Sequence, residues 1–185
     1  MNRFFPFLIC LICSISGFSQ DIFDAARKGD LGRIETLVKI NPDTVDSRNE
    51  SDFTPLILAG YYNQVAAVTL LLKHNASVHA DSPEGPVILG ACYKGNVKLV
   101  QLLIDYKADV NSVNNAGTSA LMYAAMVNNL TLVALLLQHG AKKELKEKSG
   151  KTALSYATQT NLNRLSLYWL SSESLAFVVF TNNHF

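Results

Sequence analysis

The 185-residue chain repeats itself. The triplets Leu70-Leu71-Leu72, Leu102-Leu103-Ile104 and Leu135-Leu136-Leu137 lie 32 and then 33 residues apart. Each follows a matching stretch: Thr54-Pro55-Leu56-Ile57-Leu58-Ala59, Pro86-Val87-Ile88-Leu89-Gly90-Ala91, and Ser119-Ala120-Leu121-Met122-Tyr123-Ala124. A fourth stretch, Thr152-Ala153-Leu154-Ser155-Tyr156-Ala157, precedes Leu165 to Leu170. Stepping back 34 residues from Ala59 and Leu71 reaches Ala25 and Leu37, so Ile22 to Ile40 makes a fifth unit at the N-terminal side. A period of this size means stacked supersecondary units, each burying its apolar face only against its neighbours.

The units share one physical grammar. A short helix carries Ala or Gly where a neighbour must come close. A two-residue break follows, as at Gly29-Asp30 and Gly95-Asn96. A second helix then places apolar residues at i, i+3 and i+4, as in Val65, Val68, Leu71 and Leu72. It is expected to end on a left-handed residue, Asn75 or Gly140, with Lys107 a poorer choice at the same place. A polar turn such as Asn114-Asn115-Ala116-Gly117 or Lys148-Ser149-Gly150 leads onward. Thr54, Ser119 and Thr152 stand where a first helix needs an N-cap, and Pro55 sits where its missing N–H costs nothing.

These units resemble ankyrin repeats, whose pattern runs Gly-x-Thr-Pro-Leu-His-x-Ala-Ala-x-x-Gly-His, then Val-x-x-Leu-Leu, then Gly-Ala-x-x-Asn. Asp52 to Leu56, Gly117 to Leu121 and Gly150 to Leu154 match its start; Lys107 to Asn111 and His139 to Ala141 match its end. The resemblance covers roughly residues 21–170. It implies an all-α fold, an ankyrin-type α-solenoid of about five helix–turn–helix repeats joined by β-hairpin-like loops. The expected units are 21–49, 50–81, 82–114, 115–147 and 148–170 within a domain over 20–170. Three departures stand out. No unit has the family's His after the Leu; Ile57, Ile88, Met122 and Ser155 take that place. The unit beginning near Pro83–Pro86 is one residue short, which predicts an irregular hairpin. The last unit has Asn161-Leu162 at its break, and reads as the C-terminal cap. The first unit reads as the N-terminal cap, with Asp21, Asp24, Arg27, Lys28, Asp30, Arg33 and Glu35 for a polar outer face.

Residues 1–19 follow a different logic. Arg3, an apolar run from Phe4 to Ile15, and the small or polar Ser16, Gly17 and Ser19 have the make-up of a secretory signal peptide cleaved after Ser19. A span would need about 20 apolar residues, so no stable membrane span is expected after cleavage. The protein is therefore expected to be exported, to the periplasm or beyond the cell. Cleavage would remove Arg3 and no acid, leaving 15 basic and 15 acidic residues. That balance argues against a nucleic-acid partner, which calls for a basic excess. Cys10 and Cys13 would go too, so Cys92 alone would remain and no internal disulfide is expected. At the other end, the apolar run Leu175 to Phe180 in the tail 171–185 is expected to fold over Trp169 and Leu167. The alternative is a strand that docks on a partner or touches a membrane.

No catalytic constellation is present. Beyond residues 1–19 there is no Gly-rich phosphate loop, no Cys pair and no metal-spaced His pair. His74 and His79 straddle a helix end and a turn, and His139 and His184 stand alone. Cys92 aligns with Gly60 and Ala125, a small-residue packing position, where a thiol is inert. No enzyme activity, cofactor or metal site is expected. Asn49, Asn75 and Asn129 begin Asn-x-Ser/Thr sequons, which matter only in a host that glycosylates exported proteins.

Family members bind through the concave face made by first helices and hairpin tips. The matching positions here are Phe53, Tyr61, Tyr62, Tyr93, Lys94, Met126, Val127 and Lys151, with Gln159, Thr160, Arg27 and Lys28 at the ends. Tyr and Met are enriched in protein interfaces. The loop with Lys142, Lys143, Glu144, Lys146, Glu147, Lys148 and Lys151 reads as a solvated charged segment. The expected function is a non-catalytic binding scaffold or adaptor for a protein partner, acting as a monomer. An inhibitor or immunity-type protein that blocks an exported enzyme is the alternative.

Overall fold

A computed structural model describes residues 21–159. The chain divides into two compact units, Met1–Ala80 and Asp81–Phe185. The division falls in the hairpin region 80–86, where the repeat is one residue short. Residues 1–19, expected to be a signal peptide, the break at Asn161-Leu162, Thr160, Trp169 and the apolar run Leu175 to Phe180 lie outside the described residues.

The first unit holds helix α1 (residues 21–28), α2 (Leu31–Ile40), a 3-10 turn (Pro42–Asp46), α3 (Pro55–Tyr61) and α4 (Val65–Lys73). Ile22, Phe23, Ala26, Ile34, Leu37, Leu56, Ala59, Val68 and Leu71 are buried and form its core, with α2 packed on α4 and α3 on α4. Capping fixes where these helices begin. The Asp30 carboxylate accepts the Arg33 N–H, the Asn41 side-chain amide oxygen accepts the Asp43 N–H, and the Thr54 hydroxyl accepts the Ile57 N–H. Gln64 does not cap α4 with its side chain. It donates instead to the Arg27 carbonyl at 3.0 Å and ties two repeats together.

The second unit holds α5 (Val87–Tyr93), α6 (Val97–Asp105), α7 (Ala120–Met126), α8 (Leu130–Gln138) and α9 (Ala153–Gln159). First helices stack in the order α5, α7, α9, and second helices α6 and α8 form a layer behind them. The short first helices approach closely because Ala91, Cys92, Ala124, Ala125, Ala153 and Ala157 are fully or almost fully buried along them. Asn96 and Asn129 cap α6 and α8, and Asn129 also donates to the Gly95 carbonyl of the previous repeat at 3.1 Å. Asn111 reaches the next repeat, accepting from the Lys142 N–H at 2.8 Å and donating to the Gly140 carbonyl at 3.1 Å. In the first unit, Asp46 accepts the Ser77 N–H in the same way.

The hairpins share a pattern. Asn114 donates its N–H to the Thr118 carbonyl, Glu147 to the Lys151 carbonyl and, in the first unit, Asn49 to the Phe53 carbonyl. Among the described residues only one isolated bridge, Val113 with Ser119, has strand character. At Ser82–Pro86 the residue whose carbonyl would close the hairpin is missing. Ser82 compensates by taking its N–H to the Asp81 carboxylate and its hydroxyl to the Gly85 carbonyl. Pro86 then stands at the N-cap of α5 with no side-chain cap. The absent family His is replaced locally as well. The Ser119 N–H points at the Met122 sulfur at 3.5 Å, and the Thr152 N–H at the Ser155 hydroxyl at 3.2 Å.

Whereas α2 ends on the extended Asn41, the second helices α4, α6 and α8 end on left-handed residues, with φ of +65° at Asn75, +68° at Lys107 and +82° at Gly140. A β-carbon in that region collides with the backbone at a cost of about 1–2 kcal/mol, and Lys107 bears it. Lys107→Gly is therefore expected to raise the stability of the second unit by about 1 kcal/mol, read as a higher urea midpoint at unchanged slope.

Candidate functional site

The residues expected to bind lie at or near the ends of the first helices. In the first unit Tyr61 ends α3 and Tyr62 follows it; they are 43% and 50% exposed. Their rings meet edge to face, 5.5 Å apart at 74°, an arrangement that fixes both without removing them from solvent. Phe53 is half-buried in the hairpin, where the Asn49 side chain accepts its N–H at 2.9 Å. Arg27 is drawn into an ion pair with Asp24 at 2.7 Å, and Lys28 is exposed.

In the second unit Tyr93 ends α5 and Met126 ends α7, at equivalent repeat positions, and they are 46% and 37% exposed. Lys94 stands over the Tyr93 ring, its Nζ 5.4 Å from the centroid. Val127, the C-cap of α7, is half-buried beside Met126. The Tyr93 ring meets that of Tyr123 edge to face at 5.7 Å. Tyr123 in turn accepts a hydrogen bond from the Asn114 side chain in the hairpin at 3.0 Å. One continuous patch thus runs from hairpin to helix ends through Asn114, Tyr123, Tyr93 and Lys94. Lys151 and Gln159 sit on either end of α9, and Lys151 lies over the Tyr156 ring at 5.2 Å.

Tyr123 and Tyr156 are the surface residues that sequence reasoning missed. They occupy the same repeat position, held by Leu58 and Gly90 elsewhere. Two tyrosines at one position four residues past the cap were the available signal. Each has its hydroxyl taken by the hairpin that precedes its helix, Tyr123 by Asn114 and Tyr156 by Glu147 at 2.9 Å. Burial raises the phenol pKa of both, and for Tyr156 the adjacent Glu147 raises it further.

The charged loop is more than a solvated segment. Glu147 accepts hydrogen bonds from the Ser149 hydroxyl, from Tyr156 at 2.9 Å and from Thr118 at 3.3 Å. These donors, Ser149 first, hold its carboxyl below the usual range. A depressed carboxylate contributes stability above its unfolded pKa and loses it as pH falls through the folded one. Below about pH 4, the contact of Glu147 with Tyr156 is expected to fail. Amide protection in α9, corrected for intrinsic exchange, should drop across that window in the native chain and stay flat in Glu147→Gln.

The groups considered for chemistry are placed as structural ones. Cys92 is fully buried in α5, and burial pushes its thiol pKa far up, so it is protonated and inert at neutral pH. The His74 ring lies 3.1 Å from Glu35 and joins the end of α4 to α2. His79 and His139 are exposed. Among the described residues no three or more His, Cys, Asp or Glu side chains gather where they could hold a metal ion. Among the same residues no helix is long and apolar enough to cross a membrane.

Paired short helices in two layers, joined by hairpins that dock on one another in the second unit, define a helix–turn–helix repeat scaffold. Residues 51–82 match the family model of the ankyrin repeat, and residues 88–171 match the model of three consecutive ankyrin repeats. The chain belongs to the ankyrin-repeat family, and its repeats make it a protein–protein interaction scaffold. It is 32% identical over 110 residues to ankyrin repeat and SAM domain-containing protein 6 of Rattus norvegicus, covering 58% of this chain and 12% of that one. It is 33% identical over 105 residues to ankyrin repeat domain-containing protein 63 of Homo sapiens, covering 54% and 27%. It is 33% identical over 108 residues to ankyrin repeat and SOCS box protein 11 of Homo sapiens, covering 58% and 33%. The chain thus spans at most a third of the length of these relatives.

Proposed function

We propose that this protein is a non-catalytic binding module that holds a protein partner against the exposed residues at the ends of its first helices. The observation that carries this reading is the exposure of Tyr61, Tyr93 and Met126 at one repeat position, with Tyr62 beside the first of them. Among the other exposed large apolar residues, Ile40 and Tyr106 share a repeat position at the ends of α2 and α6 but no aromatic or apolar neighbour beside them is exposed there, and Leu31 and Val113 stand singly. Rigid aromatic rings that stay in solvent lose little side-chain freedom on binding, which is why such residues dominate interface energetics. Phe53, Lys94, Val127 and Lys151 belong to the rim of the same reading.

Export is the second part of the proposal, supported by the cation, apolar run and small residues of positions 1–19. N-terminal sequencing of the protein recovered from its host should begin at Gln20; a chain that retains Met1 and stays in the cytoplasm would overturn this part. For the binding reading, the whole chain carrying an affinity tag is incubated with the exported-protein fraction of the source cell. A parallel bait carries Tyr61→Ala, Tyr62→Ala and Tyr93→Ala. One protein retained by the first bait and lost from the second is the expected result, with the same helical circular dichroism for both. Equal retention by both baits would move the site elsewhere.

A further inference from the structure

Cleavage after Ser19 would leave a single residue, Gln20, ahead of α1 (residues 21–28). Gln20 lies outside the described residues, but the chain that follows it is firmly held. Ile22 and Phe23 are buried in the core of the first unit. The Asp21 carboxylate accepts from the Arg33 guanidinium of α2, and the Asp24 carboxylate pairs with Arg27 at 2.7 Å. The new α-amine is thus one residue from the N-terminal side of a helix, where the macrodipole and the unsatisfied N–H groups disfavour a positive charge. The two acids nearest to it in the chain, Asp21 and Asp24, each already have a guanidinium partner, so neither is left to hold the amine as an ammonium ion. The uncharged amine is the nucleophile, and the side chain of its own residue is a carboxamide, an acyl group within reach for ring closure.

We infer that Gln20 is a modification site and that the mature chain begins with pyroglutamate. The Gln20 α-amine nitrogen attacks the Cδ carbon of its own side chain and a lactam ring closes. The bond from Cδ to the side-chain nitrogen breaks, and that nitrogen leaves as ammonia with the proton that the amine gives up. No oxidant, reductant or cofactor enters the balance. This rests on the cleavage after Ser19 proposed above, and it adds the fate of the end that cleavage creates. The lactam removes the terminal charge. A cation is taken from the N-terminal side of α1, and no ammonium competes with Arg33 for the Asp21 carboxylate. No α-amine is left from which an aminopeptidase could begin to trim α1.

The test isolates the whole protein from its host, labels free amines by reductive dimethylation, digests it with trypsin and reads the N-terminal peptide by mass spectrometry. The peptide from Gln20 to Arg27 contains no lysine, so its α-amine is the one place where it can take the label. The expected peptide starts at Gln20, is lighter by one ammonia and carries no label. In Gln20→Ala, cut at the same bond, the same peptide should be fully labelled. A peptide that keeps its ammonia and takes the label would overturn the lactam and leave export standing. A chain that starts at Met1, or at any residue other than Gln20, would overturn the cleavage and the lactam with it. A synthetic, isotopically heavy peptide from Gln20 to Arg27 with a free α-amine is added at lysis and should keep its ammonia throughout. Its cyclisation to the same extent as the native peptide would assign the lactam to handling and overturn its formation in the host.

Discussion

Leu103→Ala is expected to cost the second unit about 3 kcal/mol, within the range of about 2–5 kcal/mol for removing a buried leucine side chain. Leu103 is fully buried in α6, which packs on α5 in front and α8 beside it. Both neighbours are held by inter-repeat hydrogen bonds, Asn129 to Gly95 and Asn111 to the Gly140 and Lys142 backbone, so the layer has little freedom to close around a void. A small domain is stable by only about 5–15 kcal/mol, so the change removes a large share. Urea unfolding followed by helical circular dichroism reads it directly. Leu31→Ala is the control, since Leu31 is 41% exposed in the first unit and its loss should be within about 0.5 kcal/mol of neutral. A loss below about 1 kcal/mol at Leu103 would show that the layer relaxes, against the packing described.

The second large effect is expected at Gly117. Its φ is +84°, and a β-carbon there would lie 3.0 Å from the Glu147 α-carbon and 3.4 Å from the Lys146 carbonyl oxygen. Those atoms are backbone of the next hairpin, locked by the hydrogen bond from the Lys148 N–H to the Ala116 carbonyl at 2.9 Å. They cannot swing aside as a side chain would. Gly117→Ala should therefore carry both the left-handed cost and an overpacking cost, together about 2–4 kcal/mol. Gly140 separates the two contributions: its φ is +82°, yet nothing lies within 4 Å of an added β-carbon. Gly140→Ala should lose only about 1–2 kcal/mol. Equal losses at the two glycines would mean that hairpin docking contributes nothing.

Much of this architecture is local chemistry and was legible in the chain. Thr54, Ser119 and Thr152 cap first helices because a hydroxyl at that position can reach the amide three residues on, whatever surrounds it. Asn75, Lys107 and Gly140 take left-handed φ because a helix that must turn back needs it there, even where lysine is a costly occupant. Cys92 is buried because its repeat position faces a neighbouring helix at close range. The resemblance to the repeat family placed the candidate residues Tyr61, Tyr62, Tyr93 and Met126 at the ends of first helices, and there they are exposed.

Other features depend on contacts between residues far apart in the chain. Glu147 looked like one more charge in a lysine-rich loop; folding brings Thr118, 29 residues earlier, and Tyr156 of α9 onto its carboxylate. Tyr123 carried no expectation in the sequence and is the bridge from the Asn114 hairpin to Tyr93 because α5 and α7 lie side by side. The lost histidine was compensated by a sulfur at Met122 and a hydroxyl at Ser155, partners that no pattern of polar residues announces. The sequence by itself determined the repeat, its helices, their caps and the side each helix buries, since these follow from periodicity and backbone sterics within about 35 residues. Tertiary structure alone decided which polar groups are shared between repeats and which rings are steered to the surface. Those outcomes turn on distances between segments that periodicity does not specify.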